Sequence, residues 1–116
     1  MSDSPKENPK KAFGDAKPGL KYVPVLPLLS MGRVMTLGAK KYGPMNWRQD
    51  PIQADTYFDA MIRHLFSWWV GQEIDGESGE SHLAHIMACC AILMDAKRHA
   101  TLEDNREFPT PDRERG

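Results

Sequence analysis

The residues best suited to chemistry cluster in one short stretch. From Gly71 to His82 the chain reads Gly-Gln-Glu-Ile-Asp-Gly-Glu-Ser-Gly-Glu-Ser-His. Glu73, Asp75, Glu77 and Glu80 put four carboxylates within eight residues, with no Lys or Arg among them. Like charges at that density repel unless water or a cation intervenes. Oxygen donors of this kind suit Mg²⁺ or Mn²⁺. The plainer reading is a solvated acidic loop that favours the start of the next helix through its dipole. The histidines weigh against that reading, because three of the chain's four fall nearby. His82 and His85 are three apart and share a helix face. His64 lies seven residues before Gly71, within reach if the flanking helices form an antiparallel hairpin. Glu73, Asp75, Glu77, His82 and His85 are therefore the candidate metal ligands. His64, Glu73 and Asp75 are the candidate catalytic groups, one of which would take a proton from a metal-activated water. No Cys pair supplies thiolates, so the pattern is not that of a zinc finger.

A second constellation follows the first long helix, from Gly38 to Arg48. Lys40 and Lys41 are suited to phosphates, Tyr42 and Trp47 to stacking on a base, and Asn46 to reading a base edge. The plainer alternative is a helix C-terminus with lysines placed for the dipole and aromatics that complete the core. Arg63 is a further candidate phosphate contact, or else the partner of Asp59 four residues earlier.

These groups need helices to hold them. Three segments carry helical periodicity. The first runs from about Pro27 to Tyr42 and stops at Gly43-Pro44. The second spans about 52–70, with an apolar stripe of Ala54, Phe58, Met61, Leu65 and Trp68, broadened by neighbours into a helix buried on more than one side. The third spans about 81–100, capped by Ser78 or Ser81, with Leu83, Met87, Cys90 and Met94 as its core line. No segment alternates like a strand. The expected fold is an all-α bundle of three main helices over about residues 20–100. Polar, Pro-rich segments at 1–19 and 101–116 read as flexible tails. A core this small, beside so apolar a second helix, calls for a homo-oligomer, a dimer or tetramer.

Charge and composition narrow the function. With 15 Lys+Arg against 16 Asp+Glu the net charge is −1, which excludes a strongly basic binder of polymeric nucleic acid. No apolar run is long enough for a membrane span, and the first residues lack the apolar core of a secretory signal. Cys89 and Cys90 are adjacent and suit free thiols in a reducing cytoplasm.

The order of these short motifs resembles a known family. Lys17-Pro18-Gly19-Leu20, Gly38-Ala39-Lys40-Lys41-Tyr42-Gly43, Asn46-Trp47, Arg63-His64-Leu65 and the run from Gly71 through His85 look like the dATP/dGTP diphosphohydrolase N-terminal domain family, over about residues 17–98. That family is common in bacteriophages and resembles the all-α nucleoside triphosphate pyrophosphohydrolases of the MazG type. The resemblance implies hydrolysis of a purine deoxynucleoside triphosphate to monophosphate and pyrophosphate, with Mg²⁺ or Mn²⁺, in phage nucleotide-pool metabolism within the host cytoplasm. It departs from the MazG pattern in one respect. The second helix has no Glu-x-x-Glu, and Glu77-x-x-Glu80 falls in a loop, so the ligand set rests on this chain's own acid and His cluster. Asp95 is an additional candidate further along the third helix. Two alternatives remain. One is a His/Asp-type metal phosphohydrolase using His64, His82, His85 and Asp75 and releasing other phosphate products. The other is a non-enzymatic helical protein that binds a partner through Trp68-Trp69-Val70.

Overall fold

The computed structural model describes residues 7–108. Its elements run in the order α1 (Pro9–Asp15), α2 (Val25–Tyr42), β1 (Ile52–Gln53), α3 (Ala54–Trp69), α4 (His82–Arg98) and β2 (Leu102–Glu103), with 3-10 turns at Leu20–Tyr22 and Asn46–Arg48. The domain is thus mostly helical, as the periodicity predicts. α1 lies inside the segment expected to be a tail. Asn8 accepts the Lys10 amide at 2.9 Å as its cap, and Pro9 occupies the first helical position, where its missing N–H costs nothing. The helix buries no residue.

α2 begins two residues ahead of Pro27, with Pro24 as its N-cap. Pro27 falls in the first turn, among amides that have no partner within the helix. Gly43 ends the helix at φ 93°, and its amide bonds to the Ala39 carbonyl. α3 and α4 form an antiparallel hairpin that brings His64 beside His82 and Met61 beside Cys90. α2 packs on α4 as well, so α4 is the central helix.

The core differs from the expected line along the third helix. Ala84, Ala88 and Ala96 are buried, whereas Met94 is 75% exposed and Cys90 is also exposed. Small side chains at intervals of four or eight form a face on which neighbouring helices can close tightly. The larger apolar side chains then point outward. Phe58, Phe66 and Trp69 on α3 are likewise mainly exposed. No large side chain is fully buried among the described residues. The radius of gyration is 20.0 Å, against about 13 Å for a compact chain of this length. No described helix is long and apolar enough to cross a membrane.

The segment after α4 closes the structure. β2 pairs in parallel with β1, matching Ile52 to Leu102 and Gln53 to Glu103. Two residues per strand leave no period for a sequence reading to find. Asn105 then supplies what Gln53 does not, a side-chain cap for α3. Its Oδ1 accepts the Asp55 amide at 2.9 Å.

Candidate active site

The acidic connection between α3 and α4 is not a loose loop. Gly71, at φ 97°, turns the chain out of α3. The Asp75 amide then donates to the Glu80 carbonyl at 2.8 Å, and the Gly79 amide returns to the Asp75 carbonyl at 2.8 Å. Gly79 takes φ 74° in this turn. Ile74 bridges Ser81, and the His82 amide donates to the Glu73 carbonyl at 3.0 Å. The result is a miniature hairpin that delivers the chain into α4, where Ser81 accepts the Leu83 amide. The Asp75 side chain is fixed within it, because its Oδ2 accepts the Ser78 amide at 2.9 Å. Asx turns use this short-range bond.

Around Asp75 stand three imidazoles. Nδ1 of His64 and Nδ1 of His82 are 2.8 Å apart. The His64 and His85 rings stack with centroids 4.3 Å apart and planes 9° from parallel. Nε2 of His85 lies 2.7 Å from Ser78 Oγ and 3.6 Å from Asp75 Oδ2. Ser78 and Asp75 approach the same ring nitrogen, whereas a nucleophile triad needs them on opposite nitrogens. The Ser78 hydroxyl is an anchor for His85, not an activated nucleophile.

Electrostatics keep this cluster ready to donate electron pairs. Burial, reinforced by His85, lowers the pKa of His64 below the usual imidazole value. Burial is also the main cause of the lowered value at His85, partly offset by Asp75. At Asp75, partial burial opposes ionisation, but hydrogen bonds from Ser78 and the nearby imidazoles overcome it and hold the carboxyl below its ordinary value. At neutral pH the His64 and His85 imidazoles are therefore neutral beside an ionised Asp75. Donor atoms of His64, Asp75 and His82 all lie within 4.8 Å of one another. Two nitrogens and one carboxylate oxygen are a donor set that fits a divalent cation accepting imidazole.

The remaining sequence candidates fall into three places. Glu77 and Lys41 form an ion pair at 3.1 Å, with Glu77 largely exposed. This pair raises the Lys41 pKa, first through its hydrogen bond. Glu73 is exposed, and its backbone carbonyl is the group that meets His82. Lys40 and Arg63 are exposed and lie outside the cleft lining. Tyr42, Asn46, Trp47, Lys41 and Glu77 line a cleft of about 650 Å³ together with His64, Asp75 and His85. The two constellations separated in sequence thus face one cavity. Tyr57 and Cys89 complete its apolar side. Burial raises the Tyr57 pKa and pushes the Cys89 thiol up to about 11, with Cys90 adding to the shift at Cys89.

Three features of this region escape a residue-by-residue reading. Ser78 is one, although its spacing of three from Asp75 is a turn signal. Arg33 is the second, pairing its Nε with both Glu80 carboxylate oxygens at 2.9 and 3.0 Å. The third is the role of Asp95. Its carboxylate accepts the Trp47 indole N–H at 2.7 Å and two N–H groups of Arg48 at 2.7 and 3.0 Å. Asp95 thereby anchors the Asn46–Arg48 turn to α4 instead of joining the His cluster.

Sequence comparison relates the chain to known proteins. The family described as dATP/dGTP diphosphohydrolase, N-terminal, matches residues 7–106. The chain belongs to this family. The match takes in α1 and β2, beyond the 17–98 that the short motifs cover. A dATP/dGTP diphosphohydrolase of Salmonella phage PMBT28 is 26% identical over 78 residues, covering 67% of this chain. The chain spans 26% of the length of that relative. No solved structure matches. For this dATP/dGTP diphosphohydrolase N-terminal domain, the cleft between the His cluster and the end of α2 is the candidate active site.

Proposed function

We propose that this domain hydrolyses a purine deoxynucleoside triphosphate, dATP or dGTP, to monophosphate and pyrophosphate in a divalent-cation-dependent reaction. The observation that carries the reading is the shared cleft, where the His–Asp cluster faces the Lys41–Trp47 segment across a nucleotide-sized space. Family membership and the phage relative's name agree with it. His64, Asp75 and His82 would hold the cation, which when bound offsets triphosphate charge and acidifies a water. Mg²⁺ and Mn²⁺, the ions the acidic loop and the family resemblance suggest, are the first to assay.

The chain's own groups divide the remaining work. Lys41 exchanges Glu77 for substrate phosphate, and Asn46 meets the base edge. Tyr42, 68% exposed at the cleft, is free to stack on the base. Trp47 walls the same end, its indole N–H committed to Asp95. Water forms a bond to the α-phosphorus as the bond from that phosphorus to its bridging oxygen breaks, and pyrophosphate leaves with the electron pair. His64 would be taken up as a cation ligand, whereas His85 is outside that donor group, and Glu73 lies outside the cleft lining. We therefore assign the water's proton to His85, which burial keeps neutral and Ser78 holds in place.

Incubation with each deoxynucleoside triphosphate and with GTP, followed by ion-exchange separation, tests this. Monophosphate plus pyrophosphate, lost on adding a chelator, is the expected result. Absence of turnover with Mg²⁺ and with Mn²⁺ overturns it. One observation favours a second reading: the grouped residues are those of a His/Asp-type phosphohydrolase. Nucleoside plus tripolyphosphate, or free phosphate, in the same chromatogram would establish that alternative.

We also propose that the domain works as a homo-oligomer in the cytoplasm of a phage-infected cell. The exposed Phe58, Phe66, Trp69 and Met94 support a second copy as their cover. Light scattering on the eluting protein tests this, and a monomeric mass overturns it.

A further inference from the structure

The donors at the His–Asp cluster differ from those a magnesium enzyme ordinarily offers. Mg²⁺ is bound through oxygen and retains several waters. Here two of the loop's other carboxylates are engaged elsewhere, Glu77 with Lys41 and Glu80 with Arg33, and the third, Glu73, is exposed and outside the donor group. One carboxylate, Asp75, remains among imidazoles. The two facing Nδ1 atoms of His64 and His82, 2.8 Å apart, would repel as bare lone pairs. An N–H on one ring satisfies this contact in the metal-free protein, and a cation bound to both nitrogens would take that proton's place. The surroundings are also fixed in advance. Ser78 holds Asp75, the stacked His85 ring holds His64, and His82 is 6% exposed at the first turn of α4. Such support of the ligands raises affinity without adding contacts.

We infer that His64, Asp75 and His82 select a borderline transition-metal dication, such as Mn²⁺, Co²⁺ or Zn²⁺, over Mg²⁺. Imidazole nitrogen favours these ions, whereas Mg²⁺ gains little from it. The inference deepens the hydrolase reading by naming the cation class of its site, and its test does not depend on turnover.

The whole chain, expressed without a polyhistidine tag and stripped with a chelator, is titrated with Co²⁺ and followed by visible absorption and equilibrium dialysis. Expected is one Co²⁺ per chain, with a spectrum unchanged by about a 100-fold excess of Mg²⁺. His64→Gln and Asp75→Asn should each weaken Co²⁺ binding at least about 10-fold. Both sites are partly exposed, and circular dichroism verifies that each variant is folded. If one variant is unfolded, the other carries the comparison. Mg²⁺ that displaces Co²⁺ at comparable concentration overturns the inference, as does wild-type binding by a folded variant. A chain that binds Co²⁺ but hydrolyses no nucleotide sinks the hydrolase reading and leaves the site. A chain that hydrolyses dGTP with Mg²⁺ but binds no Co²⁺ sinks the site and leaves the hydrolase reading.

Discussion

α4 carries a low-pKa aspartate contact at each end, and the two are built differently. Near its N-terminus, Asp75 sits among imidazoles and is held by a single turn residue, Ser78, through its amide and its hydroxyl. Near its C-terminus, Asp95 is saturated by Arg48 and Trp47, which together drive its pKa far below the ordinary carboxylate value. A carboxylate with permanent cationic and indole partners is spent on structure. A carboxylate whose neighbours are neutral imidazoles keeps charge to offer a cation. The difference lies in the partners, because both groups are partly exposed and both are ionised at neutral pH.

That contrast is broken most forcefully at Asp75. Asp75→Asn should reduce turnover at least about 100-fold while leaving the helical signal and melting midpoint near wild type. Steady-state rates beside a thermal melt measure both. At the other pole, Trp47→Ala should cost about 3–5 kcal/mol of stability by emptying a buried position, read from urea unfolding. A Trp47→Ala protein as stable as wild type would remove the distinction between the two ends.

The cysteines give a smaller contrast along the same helix. Cys89, its pKa pushed up to about 11 by burial first, stays a thiol at neutral pH, whereas Cys90 is exposed. Alkylation at pH 8 should label Cys90 roughly 100-fold faster, as mapped by peptide mass spectrometry. If Lys41 binds phosphate as proposed, equally in ground and transition states, Lys41→Gln should raise KM several-fold with little change in kcat.

The smallest expected effect is acid sensitivity at Asp95. Its folded pKa lies below the unfolded value of about 3.9, so the unfolded chain takes up the proton first. The stability it contributes is complete above about pH 5 and declines as pH falls through the unfolded value toward the folded one. Asp95→Asn should flatten that part of the stability–pH curve, measured by urea midpoints between about pH 2 and 6.

What the chain discloses before folding follows from the range of each interaction. The long helices are legible because periodicity and the Gly43 stop are local, and their ends fall within about two residues of the expectation. The buried face of α4 is not legible, because hydrophobicity ranks Leu83 and Met94 above Ala84 and Ala88. Packing instead selects the small face. The neighbourhood of His64, His82 and His85 can be inferred from a helical hairpin alone. The engagement of Glu77 by Lys41, Glu80 by Arg33 and Trp47 by Asp95 cannot, since those partners are 36, 47 and 48 residues apart.

The parallel pair of β1 and β2 also bears on the order of events in folding. The Ile52 amide donates to the Thr101 carbonyl at 2.9 Å, and the next strand position joins Gln53 to Glu103, 50 residues on. A hairpin of two adjacent helices closes a short loop, whereas this pairing must close one spanning the whole hairpin, at greater entropic cost. It forms only when α3 and α4 already lie side by side. Slow hydrogen exchange at the Ile52 amide is therefore a single-site reporter that the helical hairpin has assembled, and its loss would mark the first opening of the domain.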